Sequence, residues 1–326
     1  MVGLVVDHVF AKHQQEKGCP EDPARTTAIF EAFCESGVLA ACRTLPVVAA
    51  DFTTLTLNHS SEYVRKFQAA CAGAKPEIVE HFGEEYVSPT SFETASKAVG
   101  SVVNAADLIM RGETQSVFCV IRPPGHHAEK ERAKGFCFFN NIAIAAHHLL
   151  EQHGLKRILV LDWDVHHGDG TQKSFYSDPR VLCCSLHVDP RFIYPRVSGF
   201  ANETGQGAGL GMNINIPLRV GDGPTEYIDA FEQVFLPTAR SFKPEFVLIA
   251  AGFDAHAEDP LGKLKLRENT FRWLTRKMVS FAQEYSQGRL LSVLEGGYNL
   301  QALGECANAH LEELISCEDL RPNEIK

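Results

Sequence analysis

The sequence predicts an α/β fold in which a parallel β-sheet is covered by helices on both faces. Short runs rich in Val, Ile and Leu recur along the chain. Their hydrophobicity is continuous rather than alternating, which is typical of strands buried on both faces. Segments with helical spacing separate these runs, as expected for repeated βαβ units. Polar motifs accompany the ends of five runs, so reactive side chains should gather at the carboxyl edge of the sheet.

The predicted elements follow in chain order. The apolar runs are GLVV from Gly3, SVFCVIR from Ser116, RILVLDWD from Arg157, VLCCSLH from Val181, FVLIAAGFD from Phe246 and LLSVLEGGY from Leu290. Helices are predicted over residues 140–153, 225–241 and 268–285, the first ending before a glycine. Near the N-terminus, KGCPEDPART is expected to be a loop that enters a helix, and EHFGEEYVSPTSF a second loop. Because the chain has no linker-like tract, residues 1–326 are predicted to form one domain.

Composition argues against several classes of protein. The chain has 31 basic and 41 acidic residues, and this net charge of −10 disfavours a nucleic-acid partner. Ten cysteines are scattered without a CxxC pair, which predicts reduced thiols in a cytoplasmic protein. No signal peptide or membrane-length apolar run is present, so no membrane partner is expected. The oligomeric state stays open, and an oligomer is possible.

The stretch LVLDWDVHHGDG, residues 159–170, gathers acids and imidazoles at the end of an apolar strand. Such groups are costly to bury unless they are paired or bound to a metal. Asp164 and His166 are two positions apart, so both side chains point to one side, as two ligands of one ion must. Asp254 ends another apolar run and is the best candidate for a third ligand. Two carboxylates and one imidazole suit Zn²⁺, with Fe²⁺ or Mn²⁺ as substitutes.

The alternative for these three residues is structural, with both acids capping helices and His166 an ordinary core histidine. The convergence of several polar strand ends on one edge favours the metal site.

Further side chains are candidates for catalysis. His126 and His127 follow a Pro-Pro-Gly turn, and a histidine near a metal can act as general base and then general acid. Asp162 and Asp169 are spare acids that could fix the tautomers of the two rings. Tyr298 follows two glycines and could donate a hydrogen bond to a developing oxyanion. Taken alone, such histidines are more often surface residues and such a tyrosine a core residue, but the shared edge favours catalysis.

The motifs RPPGHHA, GFCFFNN, DWDVHHGDGTQ, SLH, AGFDAHAEDPLG and LEGGYNL closely resemble those of the zinc-dependent histone deacetylase family. The resemblance is strongest to its class II and bacterial amidohydrolase members, which are related to acetylpolyamine amidohydrolases. It covers nearly the whole chain and implies the arginase-deacetylase fold, a single three-layer domain around an eight-stranded parallel sheet. It also implies the zinc ligands, histidine pair and tyrosine named above.

The resemblance further implies a substrate tunnel and a second cation. Gly135 and Phe136 should line a narrow acyl-lysine tunnel, with Tyr194 facing Phe136 and Leu261 closing another wall. A structural potassium ion, held largely by main-chain oxygens, maps to Asp162, Asp164, His166, Ser185 and Leu186.

The sequence therefore predicts a zinc amidohydrolase that removes acyl groups, acetyl first, from a primary amine such as the lysine side chain. Hydrolysis of acetylpolyamines or another small amide is the nearest alternative, and a catalytically silent acyl-lysine binder is a rival from another class. The complete set of metal, histidine and tyrosine residues argues against the silent binder. Two positions depart from the family pattern: Cys19 stands where histidine is usual, and Glu84 is not a secure counterpart of the rim acid that often holds the substrate backbone.

Overall fold

The structure, a computed structural model, describes residues 1–74, 80–82 and 85–319. Glu84 thus lies outside the described residues. The strands are β1 (Val2–Val6), β2 (Cys42–Thr44), β3 (Glu80–Phe82), β4 (Glu85–Val87), β5 (Ser116–Val120), β6 (Ile158–Asp162), β7 (Val181–Val188), β8 (Asn213–Leu218), β9 (Phe246–Ala251) and β10 (Leu290–Leu294). The α-helices are α1 (Ala24–Ser36), α2 (Phe52–Leu55), α3 (Ser61–Gly73), α4 (Ser91–Met110), α5 (Asn141–Glu151), α6 (Asp169–Phe175), α7 (Pro224–Ala230), α8 (Leu236–Phe242), α9 (Glu268–Tyr285) and α10 (Leu300–Asp319).

Eight of these strands form one all-parallel sheet in the order β2-β1-β5-β10-β9-β6-β7-β8. Every side chain of β5, β6, β9 and β10 is buried, which explains their continuous hydrophobicity. The register aligns the strand ends, since Asp162 of β6 lies beside Ser185 of β7 and Ala250 of β9. The carboxyl ends of the central strands therefore meet at one edge.

Helices cover both faces of the sheet. Successive residues of a strand point to opposite faces and so belong to two different cores. Leu159 and Leu161 of β6 belong to a core that includes side chains of α1, α9 and α10. The alternate residues Ile158 and Val160 belong to the opposite core, which α4 and α5 complete. The predicted three-layer fold class is thus confirmed. Among the described residues, every helix is too short or too polar to cross a lipid bilayer.

Several element boundaries differ from the sequence-based expectation. Helix α5 ends at Glu151, two residues early, and the helix expected over 225–241 is α7 and α8 joined by a π-helical turn, Phe231–Phe235. The run VLCCSLH forms β7 as predicted, and β7 extends one residue further because β8 pairs with it as far as Val188. The segment EHFGEEYVSPTSF was expected to be a loop, but it contains the short strands β3 and β4, which pair antiparallel. The prediction of a loop was therefore wrong for these two strands.

Candidate active site

Three adjacent strands position the acids at the carboxyl edge of the sheet. Strands β10, β9 and β6 are neighbours in the sheet. Asp164 follows β6 by two residues, Asp254 follows β9 by three, and Glu295 comes directly after β10. All three carboxylates are buried at this edge. The topology alone therefore brings together acids that are up to 131 positions apart in the sequence.

Asp164, His166 and Asp254 form the compact centre of this edge. The Nδ1 atom of His166 lies 3.1 Å from Oδ1 of Asp164 and 3.0 Å from Oδ2 of Asp254. One ligand atom from each residue lies within 4.8 Å of the others. The remaining oxygens accept hydrogen bonds from backbone amides, Asp164 Oδ2 from Gly296 at 2.7 Å and Asp254 Oδ1 from Val165 at 2.8 Å. Each carboxylate is thus oriented with one oxygen directed at the imidazole.

The charges of this centre fit a divalent cation. Burial raises the pKa of Asp254 to about 7, and the neighbouring Asp164 carboxylate adds to the rise. Burial acts to lower the pKa of His166, but its hydrogen bonds to both aspartates outweigh this and raise it to about 10. The two buried acids therefore attract positive charge to this centre. A Zn²⁺, Fe²⁺ or Mn²⁺ ion would supply that charge, and two oxygens and one nitrogen are a suitable donor set.

Gly296 allows the backbone to approach this centre. A Cβ atom at that position would lie 2.6 Å from Oδ2 of Asp164, and closer still to Oδ2 of Asp254. No side chain can occupy that space while both carboxylates keep their positions. The first glycine of LEGGY is therefore required by close packing against the two acids.

The structure places one carboxylate behind each ring of the histidine pair. Nδ1 of His126 lies 2.9 Å from Oδ2 of Asp162, and Nδ1 of His127 lies 2.9 Å from Oδ1 of Asp169. The two ring centroids are 4.0 Å apart. A carboxylate at Nδ1 fixes the tautomer and leaves Nε2 for chemistry. His127 also lines the cavity described below, whereas His126 is not among the residues that line it.

The two histidines differ in protonation. Burial lowers the pKa of His127 to about 3, with a further contribution from the adjacent His126. For His126, burial acts to lower the pKa, but nearby carboxylates led by Asp162 raise it well above its usual value. The surroundings of the two rings therefore favour a neutral His127 and a protonated His126.

Lys134 supports this arrangement. Its ammonium group contacts Asp169. Burial acts to raise the pKa of Asp169, but interactions with His127 and Lys134 hold it below the usual range.

Tyr298 is positioned by contacts with Asp259, Phe136 and Arg25. Its backbone amide donates to Oδ2 of Asp259 at 2.7 Å, and its ring lies 6.0 Å from that of Phe136. The guanidinium of Arg25 is 5.0 Å from the ring centroid and donates to the carbonyl of Gly297 at 2.6 Å. Burial raises the pKa of Tyr298 well above its usual value. The phenol therefore keeps its proton and remains a hydrogen-bond donor.

Sequence reasoning missed several residues that support the site. Glu295 accepts hydrogen bonds from the amides of Gly125 and His126, and so anchors the turn before the histidine pair. Glu21 makes a fully buried ion pair with both Arg25 and Arg122. Glu295 had a sequence signal, because it directly follows an apolar strand. Lys134 and Arg122 had none, since their partners Asp169 and Glu21 are distant in the chain. Arg25 is four positions from Glu21, but its contacts with Gly297 and Tyr298 are distant in the chain.

A cavity of about 640 Å³ leads to this centre. Its lining includes Gly135, Phe136, Tyr194 and Leu261, together with His127, His166 and Tyr298. Phe136 and Tyr194 both line this cavity, and the prediction that they face each other stays a prediction. Tyr194 packs edge-on against His127, with centroids 4.9 Å apart, and the ring of Phe136 lies edge-on to that of Tyr298 at 6.0 Å.

Of the residues assigned to potassium, Asp162 lies on β6, Ser185 and Leu186 lie on the neighbouring β7, and Asp164 and His166 follow β6. Asp162 and Ser185 line a small internal cavity beside His167. Ser185 Oγ lies 2.8 Å from Nδ1 of His187, and the side chain of Leu186 packs in the core. The oxygens of Asp162 and Ser185 are hard donors of the kind that potassium prefers, so the potassium assignment stays a prediction.

Fold and site together define a three-layer α/β protein built around a candidate metal centre at the carboxyl edge of its sheet. Residues 19–314 match a family model described as "Histone deacetylase domain". The chain therefore belongs to the histone deacetylase family, as its motifs predicted.

Relatives agree with this assignment. The chain is 37% identical to histone deacetylase 5 of Arabidopsis thaliana over 98% of its own length and 50% of the relative. It is 38% identical to the polyamine deacetylase HDAC10 of Homo sapiens, over 90% of this chain and 44% of that protein. The chain thus spans half or less of the length of these relatives. The crystal structure of the HDA15 HD domain superposes with a TM-score of 0.90 at 33% identity, covering 97% of this chain and 88% of that one.

Proposed function

We propose that this chain is a zinc-dependent deacylase that hydrolyses the amide of an acylated primary amine, above all N-acetyl-lysine in a protein or peptide. One observation carries the proposal. The converging ligand atoms of Asp164, His166 and Asp254 lie within 4.8 Å of one another, and His166 lines the same cavity as His127 and Tyr298. A metal centre, a neutral base and a phenolic donor are the components of metal-assisted amide hydrolysis.

Each residue has a proposed role. Zinc held by the three ligands would polarise the amide carbonyl and acidify a water molecule. His127 would accept a proton from the attacking water and deliver it to the departing amine. Tyr298 would donate a hydrogen bond to the developing oxyanion.

The supporting residues orient this machinery. Asp169 would hold the His127 ring, and Asp162 would keep His126 positively charged. A structural potassium ion would be bound by Asp162, Ser185 and Leu186, together with main-chain oxygens near the zinc ligands.

The cavity lining supports acyl-lysine as the substrate. Aromatic walls at Phe136 and Tyr194 suit an aliphatic side chain, and Leu261 places an apolar group where an acid would attract a second ammonium. The described lining carries the cations Lys17, Arg196 and Lys263 and the acids Glu16 and Glu85. The charged residues that line the cavity therefore do not share the net negative charge of the whole chain. The electric field of that net charge is screened over about 8 Å at physiological salt.

Acetylpolyamine hydrolysis is the second candidate, because one relative is a polyamine deacetylase. The same metal centre and base would serve either amide. We further propose a cytoplasmic location and a single catalytic domain over residues 1–326. All ten cysteines are free thiols, which suits a reducing compartment.

A substrate panel tests the proposal. Acetyl-lysine peptides should be cleaved with a higher kcat/KM than acetylspermidine or acetylputrescine. Leu261→Glu should shift this ratio toward the polyamines, because the new carboxylate would pair with a second ammonium. Leu210→Glu adds the same charge at a site that is 66% exposed and outside the cavity lining, and should leave the ratio unchanged. A preference of the unmutated enzyme for acetylpolyamines by about tenfold or more would replace acyl-lysine with the second candidate.

A further inference from the structure

Asp107, His148 and His153 form a polar cluster on the far side of the molecule, called here the α4–α5 cluster. Asp107 lies near the end of α4, His148 lies in the last turn of α5, and His153 follows that helix. Helix α4 precedes β5 and α5 precedes β6, so both helices end near the amino edge of the sheet. The cluster therefore lies at the edge opposite the active site.

The two imidazoles converge on a single carboxylate oxygen. Nε2 of His148 and Nε2 of His153 each lie 2.7 Å from Oδ1 of Asp107. One ligand atom from each of the three residues lies within 4.8 Å of the others. The side chains of Asp107, His148 and His153 are 29%, 15% and 24% exposed. The cluster is thus partly shielded by protein, yet open enough for an ion to enter and keep water ligands.

The backbone that carries His148 and His153 is fixed by a helix cap and a glycine turn. The amide of Gln152, the residue that follows α5, donates to the carbonyl of His148 at 2.8 Å. Gly154 then turns the chain with φ +68°. His148 and His153 therefore approach Asp107 from the helix and from the turn that follows it. A preorganised set of ligands reduces the conformational entropy lost on binding.

The charge of the cluster also favours a cation. In the part of the chain that the structure describes, the ion pairs of Asp107 are with these two histidines, and no lysine or arginine bridges to it. With neutral imidazoles the cluster carries one negative charge. Two imidazole nitrogens and one carboxylate oxygen are the donors that Zn²⁺ and similar transition ions prefer.

We propose that the α4–α5 cluster is a second metal site, distinct from the catalytic centre, that binds a divalent transition ion such as Zn²⁺. Bonds of about 2.0–2.1 Å in tetrahedral geometry separate ligand atoms by about 3.3 Å. The present 2.7 Å separations must therefore open slightly, which small rotations of exposed rings allow. Waters complete the coordination. The bound ion links α4 to the end of α5 and stabilises the amino edge of the fold.

Zinc titration of the catalytically loaded protein tests this site. The unmutated chain should bind about one further equivalent of Zn²⁺ by calorimetry, and His153→Gln and Asp107→Asn should lose it. His147→Gln is the matched control, because it removes a histidine of the same helix that packs on Phe175 outside the cluster. Excess Zn²⁺ should raise the Tm of the unmutated chain and His147→Gln only.

The variants also distinguish this site from the catalytic one. Turnover should be the same in all four proteins, which shows that each is folded. The comparison uses the difference of one equivalent between His147→Gln and His153→Gln, so an error in the catalytic-zinc assignment would leave it unchanged. Equal zinc stoichiometry and equal Tm shifts in these two variants would overturn the second site.

Discussion

Gly135→Ala should impair catalysis by displacing His127. A Cβ atom at this position would lie 2.8 Å from Cγ of the His127 ring, closer still to its Cδ2, and 3.0 Å from Cε1 of Tyr194. The ring cannot move away freely, because Nδ1 of His127 is 2.9 Å from Asp169 and the ring centroid is 4.0 Å from that of His126. The methyl group therefore acts directly on the proposed base.

The added methyl group has two separate effects, one on stability and one on the rate of catalysis. Gly135 has φ +58°, so alanine there costs about 1–2 kcal/mol of backbone strain, which lowers stability. Ordinary van der Waals contact begins near 3.4 Å, so Cγ of His127 must move by at least 0.6 Å. A displacement of about 1 Å in a catalytic group can lower the rate by about 10²-fold. We expect kcat to fall by about 10-fold to 10²-fold, with little change in zinc content.

Gly18→Ala is the matched control. Gly18 also lines the cavity and has φ +89°, but a Cβ atom there meets no atom within 4 Å. Both variants should lose stability in thermal unfolding, Gly135→Ala the more because its methyl group also meets the His127 ring, whereas only Gly135→Ala should lose kcat on an acetyl-lysine peptide. Equal kcat values for the two variants would refute the assignment of His127 as the base.

Two more predictions concern Tyr298 and a buried ion pair. Tyr298→Phe keeps the ring that packs on Arg25 but removes the hydroxyl, so kcat should fall about 10²-fold to 10³-fold at unchanged zinc content, and a normal kcat would exclude the oxyanion role. Glu21→Gln leaves Arg25 and Arg122 without their buried carboxylate and should lower the free energy of unfolding by about 3–5 kcal/mol at pH 7. Burial acts to raise the pKa of Glu21, but the two arginines outweigh it and hold the pKa below its usual value. The stabilisation by Glu21 is therefore complete above the unfolded-state pKa of about 4.3 and is lost as the pH falls through the folded-state pKa. In urea unfolding the difference between the two proteins should shrink at acid pH, and a difference independent of pH would contradict this explanation.

The candidate site was largely predictable where its signal is local. Asp164 and His166 are two positions apart beyond an apolar strand, which is enough to place both side chains on one side. Asp254 was identified because it ends a second apolar strand of the same kind. The hairpin of β3 and β4 was missed because its segment is polar and short, so its hydrophobic pattern does not distinguish a strand from a loop.

Contacts between distant residues were beyond sequence reasoning. Nothing near Lys134 indicates that its ammonium group contacts Asp169, and nothing near Arg25 indicates that it packs on Tyr298. Likewise, His148 and His153 carried no prediction, because their partner Asp107 lies on another helix.

The sequence by itself determined the layered α/β architecture, since continuous apolar runs between helical segments can be buried only in a sheet covered on both faces. It also placed the reactive residues at the carboxyl ends of the strands. Only the tertiary structure decided the strand order, the contacts of Lys134 with Asp169 and of Arg25 with Tyr298, and the different electrostatic surroundings of His126 and His127. The physical reason is the distance along the chain over which each property is encoded. Hydrophobic periodicity is encoded by neighbouring residues, whereas the pKa of a buried histidine depends on which distant carboxylate and how much protein surround it.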